Sequence, residues 1–319
     1  MHEPVILCVS ANPGMDRRLR INSLVVGGIN RASSAQGFAG GKAAHVAMAA
    51  HALLAKTVWI AFLGGAIGEE CAAQMESLGV HVASVPTAAH TRVNLEIIDD
   101  SGEITELLEP GGEPAAGEAN EFLLRCRKEI ENAGRSALLV ISGRLPAGVS
   151  PILYASLIEA ARAAGVETFV DTSGDALQAS VKAKPRFVKT NRQEAEELIG
   201  QSLKTTEEAV SAAHEIIRRG ASSAAITLGS QGLIWVESSN GPVWKAQPPR
   251  LKVISTVGCG DATLAGFARA STQGITGEEA IRLAAACGAA NCSALAPGRI
   301  EMATVGSLLP LIEVRQLPS

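Results

Sequence analysis

The segment ALLVISGRLPAGVSPILYASLIEAARAAGVETFVDTSG, residues 137–174, decides the fold. It opens on a short apolar run, ALLVISG (137–143), turns through Gly and Pro, and continues as SPILYASLIEAARAAG (150–165) at helical spacing. A second apolar run, ETFVDTSG (167–174), follows at once. Runs without polar alternation are strands buried on both faces, and a helix between two of them is the crossover of a parallel sheet. Outward from here the unit recurs. VILCVSA (5–11), TVWIAFLGG (57–65), RFVKTN (186–191) and AAITLG (224–229) read as further buried strands. KAAHVAMAAHALLA (42–55), RQEAEELIG (192–200) and EEAVSAAHEIIRRG (207–220) read as helices. The predicted class is α/β, with a mainly parallel sheet covered on both faces. Ligands of such sheets bind outside the carboxyl ends of the strands.

Two segments break the rhythm. RRLRINSLVVGG (17–28) and TRVNLEIIDDSGEITELLEP (91–110) alternate apolar with polar residues, and DDSGE marks a hairpin turn. Such strands have one wet face. They predict a small antiparallel layer, a lid over the strand ends that excludes water. The alternative is an edge hairpin extending the main sheet. No internal repeat or low-complexity linker divides the chain, so one domain over 1–319 is expected, with lid strands at approximately 16–36 and 90–109. AQPPRLK (246–252) reads as a rigid loop.

The 319 residues, 47% hydrophobic and 19% charged, give ample core. A net charge of −4, no basic run and 3% aromatics argue against nucleic acid. Cys8, Cys71, Cys126, Cys259, Cys287 and Cys292 form no CxxC pair, so reduced thiols and a cytoplasmic location are expected. The apolar run VILCV is too short for a signal-peptide core, and no stretch has the length of a membrane span.

The familiar phosphate motifs fail. GFAGGKAA has Gln36 and Ala43 where a P-loop needs Gly and Ser or Thr, and GCGDAT has Thr263 in place of the third glycine of a dinucleotide fingerprint. No zinc spacing or GxSxG elbow appears. What remains is a set of motifs at strand ends. In STVGCGDATLAGFARA (255–270), Gly258 and Gly260 read as the turn before a helix that runs from Asp261. The amides of Gly258, Cys259, Gly260 and Asp261 are then unpaired at a helix N-terminus, a ready anion site, with Asp261 either a carboxylate beside the anion or an ordinary N-cap. AGGKAAHVAMAA (39–50) lets backbone approach a ligand while Lys42 supplies charge. TRVN (91–94) puts Arg92 and Asn94 on one face of a strand. ISGRLP (141–146) ends a strand with Ser142, Gly143 and Arg144. VKTNRQEAEEL (188–198) ends another with Lys189 and Asn191 and adds Glu194. Asn191 and Glu194 can both reach a solvated Mg²⁺ or form a capping box.

Together, GGKAAHVA and STVGCGDATLAGF resemble the two signatures of the ribokinase-like (PfkB-type) carbohydrate kinases. SANPGMD, TRVNLEI, ISGRLPAGV, VDTSGDAL, VKTNRQEAEEL and TLGSQGL follow in the order of the branch holding 1-phosphofructokinase, tagatose-6-phosphate kinase and the minor 6-phosphofructokinase. The resemblance implies a three-layer α/β/α fold with a small β-sheet lid, and an ATP- and Mg²⁺-dependent phosphotransferase. Asp261 would be the catalytic base, and Gly258, Cys259 and Gly260 the anion hole. It places the nucleotide against Lys189, Asn191, Glu194, Thr227, Gly229, Gly232 and Asn291, with Asn191 and Glu194 serving the metal through water. It places the acceptor against Asp16, Gly41, Lys42, His45, Asn94 and Ser142, and the implied acceptor is a ketohexose monophosphate. Its phosphate needs fixed cations, for which Arg92, Lys42, Arg31 and Arg144 are the candidates. His45 stands where the family has Asn, Ala43 where it has Gly, Arg144 where it has Ser and Glu96 where it often has a base. These departures cluster around the acceptor. A kinase of an unphosphorylated sugar, or a non-catalytic sugar-phosphate or nucleotide binder, is the alternative. A homodimer through the lid strands is the implied partner arrangement.

Overall fold

A computed structural model describes residues 4–115 and 117–318. The expected domain of 1–319 therefore includes a few positions outside the described residues.

The chain enters the main sheet with β1 (Val5–Ser10) and leaves it for β2 (Gly14–Arg20) and β3 (Ser34–Gly40). It returns through α1 (Lys42–Ala52), β4 (Lys56–Leu63), α2 (Gly65–Ser77) and β5 (His81–Pro86), and leaves again for β6 (Arg92–Ile98) and β7 (Ile104–Leu108). The crossovers follow: α3 (Glu118–Ala133), β8 (Leu138–Ser142), α4 (Ile152–Ala163), β9 (Glu167–Asp171), α5 (Gly174–Lys182) and β10 (Phe187–Asn191). Next come α6 (Arg192–Ile199), α7 (Thr206–Arg218), β11 (Ala224–Thr227), β12 (Leu233–Val236) and β13 (Val243–Gln247). The chain closes with α8 (Cys259–Thr272), α9 (Gly277–Cys292), α10 (Met302–Leu308) and β14 (Glu313–Leu317).

The main sheet has the order β14-β13-β12-β11-β10-β9-β8-β1-β4-β5. Pairing is parallel from β5 to β11 and antiparallel from β11 to β14. The strand period of two sorts side chains between two cores: Ile6 and Cys8 of β1 join one, Leu7 and Val9 the other. Helices α1, α2, α8, α9 and α10 cover the first core, and α3 to α7 the second, which makes three layers.

The alternating segments form a separate sheet, β3-β2-β6-β7, so the edge-hairpin alternative fails. The layer is mixed rather than antiparallel, because β2 runs parallel to β6 while β3 and β7 flank them antiparallel. The DDSGE turn joins β6 to β7, and the Asp99 carboxylate accepts from the amides of Ser101 and Glu103 there. The expected strand over 17–28 stops at Arg20. Beyond it Gly27 adopts a φ of +77°, and the Asn30 side chain closes a turn onto Val25. Residues 246 and 247 of the expected rigid loop complete β13. Among the described residues no helix is long and apolar enough to cross a membrane.

Candidate active site

The strand ends, α1 and α8 meet around two carboxylates. Helix α8 begins at Cys259, two residues earlier than expected, with Gly258 as N-cap at a φ of +80°. Gly260 therefore lies in the first turn rather than before it, and Asp261 is the third helical residue and no N-cap. The amides of Gly258, Gly260 and Asp261 have no partner among the described residues, as helix geometry requires of a first turn. The Cys259 amide differs from expectation: it donates to the Thr256 carbonyl at 3.2 Å. A side chain on Gly260 would meet the Lys189 ammonium at 3.2 Å, so that cation borders the free amides.

Asp261 is 5% exposed. Its Oδ2 accepts from Nδ1 of His45 at 2.8 Å, and Nε2 of the same ring donates to Oδ2 of Asp16 at 2.7 Å. Asn94 donates to Oδ1 of Asp16 at 2.8 Å. Burial alone would lower the pKa of His45, but the two carboxylates raise it to about 10, so the ring is an imidazolium at neutral pH. Burial pushes Asp16 up, yet His45, Asn94 and Arg92 together hold it below the ordinary carboxylate value. Two glycines make room here. A methyl on Gly40 would fall 2.3 Å from the Asp16 carboxyl, and one on Gly298 would fall 2.6 Å from the His45 Cα. Gly41, at a φ of +88°, caps α1 and admits Pro13 at the closeness a side chain forbids.

Behind this line lies a second network that sequence reasoning missed. Asp171, fully buried at the end of β9, accepts from Lys189 at 2.5 Å and from Lys42 at 2.9 Å. Burial opposes its charge, but Lys189 and Lys42 hold its carboxyl well below the usual range. The one signal for it was VDTSGDAL, a carboxylate at the carboxyl end of a strand. Lys42 also donates to Glu194 at 3.0 Å. It thus joins Asp171 and Glu194 rather than the arginines expected to share a phosphate with it. Burial would lower its pKa, and Asp171, Glu194 and Asp261 raise it.

Asn191 and Glu194 form the full capping box of α6: each side chain accepts from the other's backbone amide at 2.8 Å. Their oxygens are hard donors suited to Mg²⁺, and because they are engaged they fit contact through water better than direct ligation. Among the described residues no group of three His, Cys, Asp or Glu side chains forms a metal cluster.

Several expected residues are placed differently. Asn291 is buried; its amide donates to Val257 O at 2.7 Å and accepts from Gly298 N at 2.8 Å, clamping two loops together. Gly232 has a φ of +86° and would drive a methyl to 1.9 Å from Ala246 O, a demand of the strand packing. Gly229 and Thr227 line the same turn, with the Thr227 hydroxyl on Thr190 O. Arg31 is exposed between β2 and β3, and no described hydrogen bond or ion pair joins it to the cluster.

At the other end, Arg92 donates to the carbonyls of Glu109 and Asn12, while its Nε, Asn94 Oδ1 and the Ser142 hydroxyl are buried without partners. Burial lowers the pKa of Arg92 and the charge of Arg144 adds to that, while Asp16 and Glu109 oppose it. Arg144 itself donates to Ser173. The small sheet is tied to this region. Buried Arg18 and Glu96 pair at 2.6 Å, Arg18 donates to Leu295 O, and Glu96 accepts from Ser255 at 2.6 Å.

A mainly parallel sheet with free helix amides and buried carboxylates at its strand ends, and a small sheet beside them, is the architecture of the ribokinase-like kinases. Residues 14–300 match the model of the pfkB family carbohydrate kinases, and this chain belongs to that family of sugar kinases. It is 28% identical to 1-phosphofructokinase of Vibrio cholerae over 313 residues, covering 98% of this chain and 97% of that one. It is 29% identical to tagatose-6-phosphate kinase of Staphylococcus epidermidis, over 97% of this chain and 99% of the relative. The tetrameric inhibited form of Escherichia coli phosphofructokinase-2 superposes with a TM-score of 0.88 at 27% identity, covering 97% and 99% of the two chains.

Proposed function

We propose that this kinase moves the γ-phosphoryl group of ATP to a hydroxyl of a ketohexose monophosphate. The observation that carries the acceptor is Arg92: a half-buried guanidinium with an unpartnered Nε and a second arginine, Arg144, close enough to disfavour its charge. Asp16 and Glu109 offset part of that positive charge, and a phosphate dianion would meet both arginines with bidentate geometry. The names of the relatives agree with that choice.

Asp16 and Asn94 grip the sugar hydroxyls, with Ser142 Oγ at hand. Asp261 offers Oδ1, the carboxylate oxygen not bonded to His45, and takes the proton of the attacking hydroxyl as its oxygen bonds to phosphorus. The free amides of Gly258, Gly260 and Asp261, with Lys189, meet the charge on the transferring group. Lys42 adds a further positive charge on the nucleotide side. Asn191 and Glu194 would hold Mg²⁺ through water, and that ion would neutralise phosphate charge. The small sheet acts as a lid on a single kinase domain. Its exposed Leu107 and Leu108, with Val26 (93% exposed) and Ile29 (83%) on the adjoining loop, pack against a second copy. A monomer by light scattering at micromolar concentration would overturn that pairing.

The test is ADP release from Mg·ATP with fructose 1-phosphate, fructose 6-phosphate, tagatose 6-phosphate, fructose, ribose and adenosine, with Asp261→Asn as blank. Turnover of a phosphorylated ketose is expected. Turnover of free sugars alone overturns the acceptor, and full activity in the blank overturns the base.

A further inference from the structure

Two thiols face each other beneath the free amides of α8. Cys259 is the first residue of α8 and Cys292 the last of α9, and their Sγ atoms lie 3.2 Å apart. Both are partly exposed, whereas Cys8, Cys71, Cys126 and Cys287 are buried. Burial pushes those four thiols up, which keeps them protonated and inert. Cys292 moves the other way: the hydrogen bond from Cys259 draws it down against the effect of burial. The same contact, and then burial, pushes Cys259 up. One sulfur is thus the better nucleophile, and the other is a protonated neighbour within reach.

Both residues are held by neighbouring groups. The Cys292 carbonyl accepts from the amides of Ile254 at 2.7 Å and Ser255 at 3.4 Å, and its thiol donates to Gly288 O at 3.6 Å. Cys259 lies between Gly258 and Gly260; its carbonyl accepts from the Thr263 hydroxyl at 2.8 Å and its sulfur from Asn291 at 3.4 Å.

We propose that Cys259 and Cys292 form an oxidative modification site: hydrogen peroxide links them as a disulfide, and the link stops phosphoryl transfer. The inhibition rests on the reading of residues 258–261 as the anion-binding loop, while the linkage stands on the sulfur geometry alone. The Cys292 thiolate attacks one peroxide oxygen, the O–O bond breaks, and the other oxygen leaves as water with the proton Cys292 released. The Cys259 sulfur then attacks the sulfenic sulfur; an S–S bond forms, the S–O bond breaks, and the hydroxyl leaves as water with the Cys259 proton. Two thiols and one peroxide give one disulfide and two waters, so the thiols lose the two electrons that the peroxide gains.

Closing the bond shortens the sulfur separation to about 2.05 Å and imposes a fixed dihedral. Cys259 sits between Gly258 and Gly260, so whatever part of that movement it takes up shifts their amides. Donors arranged for a developing charge tolerate little displacement, and a shift of about 1 Å costs about 10²-fold in rate.

Reduced, desalted protein is titrated with hydrogen peroxide. Each sample is divided between ADP release with the preferred acceptor and peptide mass mapping after alkylation of free thiols. The expected result is a Cys259–Cys292 linked peptide that accumulates as ADP release falls about 10²-fold, with recovery on adding dithiothreitol. Cys292→Ser, with Cys292→Ala as a second variant, should form no link and keep its rate through the titration. Absence of the link across the titration overturns the site. A link with undiminished ADP release, or equal inactivation of both variants, overturns the inhibition. If the reduced protein turns over no acceptor, the loop reading and the inhibition built on it fail, and the mass map alone decides the linkage.

Discussion

Nδ1 of His45 lies 2.8 Å from Oδ2 of Asp261, and the opposite nitrogen of the ring is bonded to Asp16. The imidazolium therefore offsets two carboxylates that would otherwise repel each other in a buried pocket.

That arrangement has a pH signature. The folded pKa of His45 is about 10 against an ordinary 6.5, so its stabilising contribution is complete below the ordinary value and is lost as pH rises through about 10. Urea denaturation of the wild type should show stability falling from pH 6.5 to about 10 and levelling beyond, and His45→Asn should lack this component. Equal declines in the two proteins would mean the ring is not held as a cation.

Arg92→Ala should raise the KM for a phosphorylated acceptor about 10–100-fold, the value of one or two charged hydrogen bonds, and change kcat less. Steady-state kinetics with a phosphorylated and a free ketose separates the effects. An equal change for both would remove the phosphate from the assignment.

Arg18→Met should cost about 3–5 kcal/mol, because it strands the buried Glu96 carboxylate without its cation. Glu96→Gln combined with Arg18→Met should recover part of the loss. Thermal unfolding of the single and double variants checks both statements.

Gly232→Ala should lose about 2–4 kcal/mol, since a positive φ and a collision with Ala246 O act together. Urea denaturation reads the loss. A stable variant with weakened nucleotide binding would instead place this glycine at the nucleotide.

What was legible in the sequence was local. The apolar runs that became β1, β4 and β8 to β11 announce themselves because both faces are buried. The capping box of Asn191 and Glu194 spans three residues, so its pattern is complete within one turn. The contacts that organise the candidate site are distant: His45 and Asp261 are 216 positions apart, and Lys42 and Asp171 129. No periodicity reports such pairs, so Asp171 went unnoticed, as did the pairing of Lys42 with it and with Glu194. Strand β3 escaped because SAQGFAG lacks both alternation and a β-branched run, and is held instead by pairing to β2. Gly260 lies inside the first turn of α8 despite its poor helix propensity, where its missing side chain leaves room for the Lys189 ammonium.

On the proposed assignment, the line from Arg92 past Asp16 and His45 to Asp261 would also work as a ruler. A ketofuranose carries a primary carbinol at each end of its ring, so its 1-phosphate and its 6-phosphate present the same span in opposite senses. An acceptor anchored at one end by the arginines would leave the carbinol of the other end facing Asp261. Regiochemistry would then follow from length, and choosing between the two isomers would fall to the ring hydroxyls that Asp16 and Asn94 would meet in between.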